Sequence, residues 1–328
     1  MQILSRRPLF AASLVFVLFV VVGASACGSS EQGQAQEDTR SSAPRSSQEQ
    51  TTAASAADWD EVGQAIGKEG KLMKGDVYRV DLPRTDLKVT SQGVDIKPAL
   101  SLGSYTAFKD MGDGNAMVMG DLVLTEDEYN KVISRLQEGG IGQTAVHKHL
   151  LEESPAIWWT HIQGTGDPVD MAKTINSALQ LTGTPLKDSG SSSESEDLGF
   201  DTSQLDETIG HSGTTQGGVY KYSIPRADSV TEDGMEIPAA MGLSTALNFQ
   251  PTEGGKAAIN GDFAMTQDEV QPVIQALRDN GIQVVSLHNH MLNEEPRIFF
   301  MHFWANDDAQ KLAQGLRAAL DKTNSAKE

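Results

Sequence analysis

The feature that most constrains this chain is an internal duplication. His147-Lys-His149, Glu153, Pro155 and His161 recur as His288-Asn-His290, Glu294, Pro296 and His302, every step 141 residues further on. Gly120-Asp-Leu-Val-Leu-Thr-Glu-Asp-Glu recurs as Gly261-Asp-Phe-Ala-Met-Thr-Gln-Asp-Glu, Pro83-Arg84 as Pro225-Arg226, and Ile66-Gly67 as Ile209-Gly210. The offset drifts only between 140 and 143 residues. A unit of that size is a domain, because solenoid repeats run at roughly 20–50 residues. The chain is therefore expected to fold as two copies of one plan, at 58–186 and 201–324, joined by a polar linker at 187–200.

Each copy can be parsed into elements. Segments 77–82 and 219–224 read as strands that end at Pro-Arg. Segments 100–108 with 116–124, and 241–249 with 256–265, read as strand pairs joined by glycine-containing turns. Thr125-Glu-Asp-Glu128 and Thr266-Gln-Asp-Glu269 are capping boxes that open amphipathic helices. Gly139-Gly140 and Asn280-Gly281 stop them. Pro272, beyond the first turn, is expected to disturb the second helix locally. Two strands and a closing helix follow, starting from Asp167-Pro168 or Asn306-Asp307. The unit is βββ-α-ββ-α, an α+β arrangement of helices on a mainly antiparallel sheet.

The N-terminal segment belongs to targeting rather than to this fold. Arg6 and Arg7 precede an apolar run at 9–22 that is short for a membrane span. Gly23-Ala-Ser-Ala then leads to Cys27, the only cysteine. This resembles a bacterial lipobox, although Ala24 stands where leucine is usual. The expectation is a signal peptide at 1–27, lipidation of Cys27, and a protein exported and anchored to the membrane at the cell envelope. Arg6-Arg7 also resembles a twin-arginine signal, which would deliver an already folded protein. Residues 28–57 are rich in Ser, Gln, Ala and Glu and lack an apolar period, as a tether would. A lone cysteine rules out an intramolecular disulfide. A net charge of −19 argues against nucleic acid as a partner.

Chemistry concentrates in the histidines, since six of the seven lie in the duplicated pattern. On a strand, His-x-His points both rings to one face. A hairpin centred on Ser154 or Glu295 would set His147 opposite His161 and His149 opposite Trp159. It would likewise set His288 opposite His302 and His290 opposite Phe300. Each copy then offers a candidate metal set: His147, His149, Glu153 and His161, or His288, His290, Glu294 and His302. Neutral imidazole with carboxylate suits a divalent transition metal such as Zn, Mn, Fe, Ni or Cu.

These sets point first to a metal- or ligand-binding protein, with a small molecule as a candidate partner. A metal-dependent hydrolase or oxygenase-type enzyme is the alternative, with Glu152 or Glu295 as base. An envelope interaction module with structural histidines is another, since the strands at 156–162 and 297–304 are apolar on both faces. A metal-free pocket of His and Arg is a further one. Asp121 and Asp262 read first as turn or helix-lead residues, with a pocket role second. Arg84 and Arg226 read as exposed ion-pair partners, and Trp158, Trp159 and Trp304 as core.

The His-x-His-x3-Glu spacing is similar to the first motif of cupins. A capped helix precedes the histidine strand here and the third histidine follows too soon, so a jelly roll is not expected. Taken together, several elements resemble the LppY/LpqO lipoprotein family. They are Trp59 with Ile66-Gly67, Gly75-x-Val77-Tyr78, Pro83-Arg84-x-Asp86-Leu87, Gly120-Asp121, and the block from His288 through Arg297 to His302-Phe-Trp304. The resemblance spans both copies. It implies a lipoprotein signal and a duplicated domain of unknown function, and it supplies no reaction.

Overall fold

The computed structural model describes residues 57–187 and 197–327. The expected signal peptide, Cys27, most of the tether and the centre of the linker lie outside these residues. Asp58 opens the first helix, α1 (Trp59–Ile66), by accepting from the backbone N–H of Asp60 and Glu61, and Gly67 closes it in the left-handed region at φ 84°. There follow β1 (Lys71–Met73), β2 (Val77–Pro83), the ribbon β3 (Val89–Ser91) and β4 (Val94–Ile96), and the short helix α2 (Pro98–Ser101). The copy continues with β5 (Gly103–Asp110), β6 (Ala116–Thr125), α3 (Glu126–Glu138), β7 (Gly142–His147), β8 (Ile157–Gly166) and α4 (Pro168–Leu179).

The second copy repeats the plan. It begins with α5 (Thr202–Ile209), β9 (Thr214–Gln216), β10 (Val219–Pro225), β11 (Thr231–Glu232) and β12 (Met235–Glu236). A 3-10 turn at Ala239–Met241 takes the place of α2. Then come β13 (Ser244–Pro251), β14 (Lys256–Thr266), α6 (Gln267–Asp279), β15 (Gln283–His288), β16 (Glu294–Glu295), β17 (Ile298–Asp308) and α7 (Ala309–Leu320). The βββ-α-ββ-α frame is present in both copies, with α1 or α5 and the small ribbons added. Thr125 and Thr266 donate their backbone N–H to Glu128 and Glu269, closing the capping boxes. α6 runs unbroken through Pro272, contrary to the expected disturbance.

Each copy builds a six-stranded antiparallel sheet, in the order β1-β2-β5-β6-β8-β7 and, in the second copy, β9-β10-β13-β14-β17-β15. Period-two alternation then sorts the side chains. From β6, Ala116, Val118, Leu122 and Leu124 meet Val62, Ile66, Val132, Leu136 and Ile175 of the helices. In the second copy Ile259, Phe263 and Met265 meet Leu205, Val273, Leu277 and Leu316.

The opposite faces of the two sheets cover each other. Val77, Ala107, Met117 and Met119 pack with Val230, Ile237, Met241, Ala264 and Phe300. Val123 and Trp159 pack with Val219, Ala258 and Trp304. The layers run helices, sheet, sheet, helices, and both copies lie in one compact unit, Thr52–Glu328. Both central strands are buried on both faces, which is why their sequences read as nearly continuous apolar runs. Any polar side chain on the inner face is therefore enclosed between the sheets.

Candidate metal centre

β8 and β17 carry Trp159, His161 and Gln163, and Phe300, His302 and Trp304, on the inner faces. Cross-strand register sets Asp121 of β6 opposite His161, and Asp262 of β14 opposite His302. The aspartates are thus mid-strand residues of the inner faces, not turn or helix-lead residues. Tyr105 lies opposite Asp121, whereas Ala246 lies opposite Asp262, so the two halves differ there. Burial pushes the Tyr105 hydroxyl up to about 12.

The register differs from the expected hairpin. His147 pairs with Trp159 and Ala145 with His161; His288 pairs with Phe300 and Ser286 with His302. The reason lies in the connection. Residues 148–156 do not turn tightly on Ser154, because Ser154 exchanges backbone hydrogen bonds with Thr90, each 2.9 Å. Residues 294–295 likewise pair with β11. The slip is two residues, so every ring keeps its face; a slip of one would have turned them all outward.

Stacking the two inner faces brings all six histidines into one cluster. Across the copies, His147 stacks on His288 (ring centres 3.8 Å apart) and His149 on His302 (3.7 Å), while His161 lies tilted against His290 (3.8 Å). His149 Nε2 lies 3.3 Å from Asp121 Oδ2, and His290 Nε2 lies 3.1 Å from Asp262 Oδ2, the latter contact making no hydrogen bond. Each copy also anchors the other's histidine segment. Asn260 donates to the carbonyl of His149 (2.6 Å), and Thr144 donates to that of His290 (2.7 Å).

The remaining sequence candidates lie apart from this cluster. Glu153 accepts from Lys148 Nζ at 2.5 Å. Glu294 accepts from the backbone N–H of Ile298 at 3.1 Å and from Arg297 at 3.3 Å, and burial pushes its carboxyl up. Neither glutamate belongs to a group of three or more converging ligand atoms among the described residues. Glu152 and Glu295, the candidate bases, are exposed. Arg84 and Arg226, expected at the surface, are buried at 1 % and 7 % exposure and committed to carboxylates.

Burial governs the electrostatics. His147, His161, His290 and His302 are only 4–5 % exposed. Desolvation, reinforced for most of the rings by neighbouring histidines, holds all six well below the ordinary histidine value, with His290 and His302 lowered to about 3. The rings are therefore neutral. Asp262 is raised to about 6, chiefly by desolvation.

The decisive feature is unmet hydrogen-bonding capacity. Asp121 Oδ1, Asp262 Oδ1, His147 Nδ1, both nitrogens of His288, and Nε2 of His161, His290 and His302 are buried without a hydrogen-bond partner. Each such group costs roughly 1–3 kcal/mol when left unsatisfied. His302 Nδ1 meets the carbonyl of Gly261 at 2.7 Å, and His290 Nδ1 meets that of Gly242 at 3.0 Å. In the neutral ring that hydrogen bond fixes the proton on Nδ1 and leaves the Nε2 lone pair aimed into the cluster. Metal-binding histidines are commonly oriented in this way. The donors form three groups, the ligand atoms inside each lying within 4.8 Å of one another: His147 with His288 and His302, His161 with His288 and His290, and Asp121 with His147 and His161. The donor set fits a divalent transition metal.

A family model described as Domain of Unknown Function (DUF1259) matches residues 60–181 and again 203–322. The chain belongs to the DUF1259 family. No curated protein matches it. Among solved structures it is similar to the trimeric bacterial microcompartment shell protein PduB, at 14% identity over 80% of this chain and 97% of that one, with a TM-score of 0.21. It is also similar to EtuB from Clostridium kluyveri, at 8% identity over 78% and 90%, with a TM-score of 0.19. Within the pair of DUF1259 copies, two of the three donor groups draw on both copies, so the cluster belongs to the pair.

Asp121 and Asp262 are site residues that the sequence ranked low, and Tyr105, opposite Asp121, is one that it did not single out. The available signal was the Gly-Asp pair repeated at the same place in both copies. Glycine is required there by a close approach. A Cβ on Gly120 would lie 2.6 Å from the carbonyl oxygen of Tyr105, and one on Gly261 would meet that of Ala246.

Proposed function

We propose that this DUF1259 protein is an exported, lipid-anchored metal-binding protein of the cell envelope, of the LppY/LpqO lipoprotein type. Its two copies jointly enclose a divalent transition-metal centre of Zn, Mn, Fe, Ni or Cu. The observation that carries the reading is the convergence of orphaned, neutral imidazole nitrogens and carboxylate oxygens between the sheets. A histidine-lined core without metal would leave these atoms at a standing energetic cost. Binding is favoured over turnover by enclosure, because four of the six rings are at most 5 % exposed and a substrate would need an open approach to the ion. Cys27 after a small-residue run supports lipid anchoring, with residues 28–57 as the spacer from the membrane.

The test is metal content of the full chain, purified without a polyhistidine tag and reconstituted in turn with Zn, Mn, Fe, Ni and Cu. Stoichiometric metal that withstands dialysis and is released by chelation, with a fall in melting temperature, is the expected result. No retained metal with any of the five would overturn the reading. The anchor is tested separately by the mass of the mature N-terminus, which should show a diacylglyceryl-modified Cys27.

A further inference from the structure

We infer that the centre holds two ions, and that each ion takes its third histidine from the other copy. The inference rests on the metal-site reading above and adds stoichiometry and ligand pairing to it. A single ion takes four to six donors, and structural sites of imidazole and carboxylate usually take four. Six imidazoles and two carboxylates converge here, which is two sets of four.

The pseudo-symmetry of the duplication divides them. His288 and His290 form a close group with His161 of the first copy, and Asp262 lies against His290 at 3.1 Å. The related set is His147 and His149, whose Nε2 atoms are 2.9 Å apart, with His302 of the second copy in one donor group with His147 and with Asp121 at 3.3 Å from His149. Each set therefore combines a His-x-His and an aspartate from one copy with a lone histidine from the other. His288 belongs to one donor group with His147 and His302 and to another with His161 and His290. Asp121, His147 and His161 form a third group, all from the first copy, that shares His147 with one of these and His161 with the other. The two sets thus lie side by side, and the two ions would be neighbours in one enclosure.

Pairing across the copies has a consequence that pairing within a copy lacks. His161 and His290 serve one ion, whereas His161 and His149 serve different ions. The experiment is native mass spectrometry of the detergent-solubilised full chain, loaded with Zn(II) or Co(II) alone. The parent protein is compared with two double variants, His161→Gln/His290→Gln and His149→Gln/His161→Gln. Two ions in the parent, one in the first variant and none in the second is the expected pattern. The reverse ranking of the variants would overturn the crossed pairing. One ion in the parent would overturn the two-ion centre while leaving the metal-site reading intact, and no ion would overturn both. Each double variant removes two histidines, so a general folding penalty falls on both alike. The count in the parent needs no variant at all.

Discussion

Two kinds of buried polar cluster were duplicated in this molecule, and they differ in completeness. Arg84 uses all five guanidinium donors: three go to Asp86 Oδ1, Glu128 Oε2 and the carbonyl of Val123, and two to the other carboxylate oxygens of Asp86 and Glu128. Arg226 likewise makes five such bonds, to the carbonyl of Ala264, to both carboxylate oxygens of Glu269, and two to Asp228 Oδ2. Burial alone would lower the arginine values and raise the glutamates, yet the pairings outweigh it. Both arginines are raised and Glu128 and Glu269 are lowered. The histidine–aspartate cluster is equally enclosed but leaves buried donors and acceptors unmatched. Retention in both copies does not separate structure from function, because a duplication copies its parent. Completeness does: a network that satisfies itself holds the fold, and one that does not is suited to a ligand.

The largest effect expected from breaking this contrast is at the complete network. Arg84→Ala strands Asp86 and Glu128 and should cost about 3 kcal/mol, toward the low end for a broken buried pair because both carboxylates retain some exposure. Urea denaturation of the metal-free protein would measure it, and metal affinity in the surviving folded fraction should be unchanged. A loss below about 0.5 kcal/mol would mean the arginine network is not a stabilising unit.

The incomplete cluster should behave in the opposite sense. His302→Gln should lower metal affinity by at least the ~100-fold that losing even an outer partner can cost. Metal-free stability should change little, since the lost hydrogen bond to the Gly261 carbonyl is offset by removal of one orphaned nitrogen. A competition titration with a chelator, paired with a metal-free melt, separates the two. A variant that binds metal normally but melts early would place His302 among the structural residues.

Next comes Gly261→Ala, where a Cβ collides with the neighbouring strand. A cost of about 1–3 kcal/mol is expected, as for other overpacked sites. Because the Gly261 carbonyl meets His302, metal affinity should fall as well. Measuring both losses in one variant would show whether strand spacing and ligand orientation are coupled.

Acidification sharpens the contrast further. The histidines ordinarily titrate near 6.5 but are held lower in the fold, His290 and His302 at about 3. Between those values the unfolded chain binds more protons, so metal-free stability is full above pH 6.5 and falls as pH drops toward 3. Asp262, raised to about 6, acts in the opposite direction between 3.8 and 6, but as one group against six. Bound metal should shift the loss to lower pH, which melting curves at several pH values with and without Zn(II) would show. The smallest effect is expected at Glu153→Gln, since that carboxylate serves Lys148; less than a threefold change in metal affinity is expected.

The parts of the fold that depend on local chemistry were legible in the sequence. The Thr-x-x-Glu boxes fix the starts of α3 and α6, and alternation puts His161 and His302 on a common face with Trp159 and Trp304. Pairing partners were less legible. The connection after His147 is tied to Thr90, far back in the chain, and no local pattern encodes that bond. Asp121 rises from a secondary pocket candidate to a candidate ligand once its strand is known to lie opposite His161. The stacking of one copy on the other depends on the inner faces of both sheets together. That is why two candidate sites in the sequence become one centre in the structure.

The most direct test of that centre is X-ray absorption at the metal edge of the loaded full chain. A first shell of nitrogen and oxygen at about 2.0–2.1 Å, with the outer-shell scattering of several imidazoles, is the predicted result. A shell containing sulfur, or oxygen alone without imidazole scattering, would place the ion somewhere other than between the two sheets.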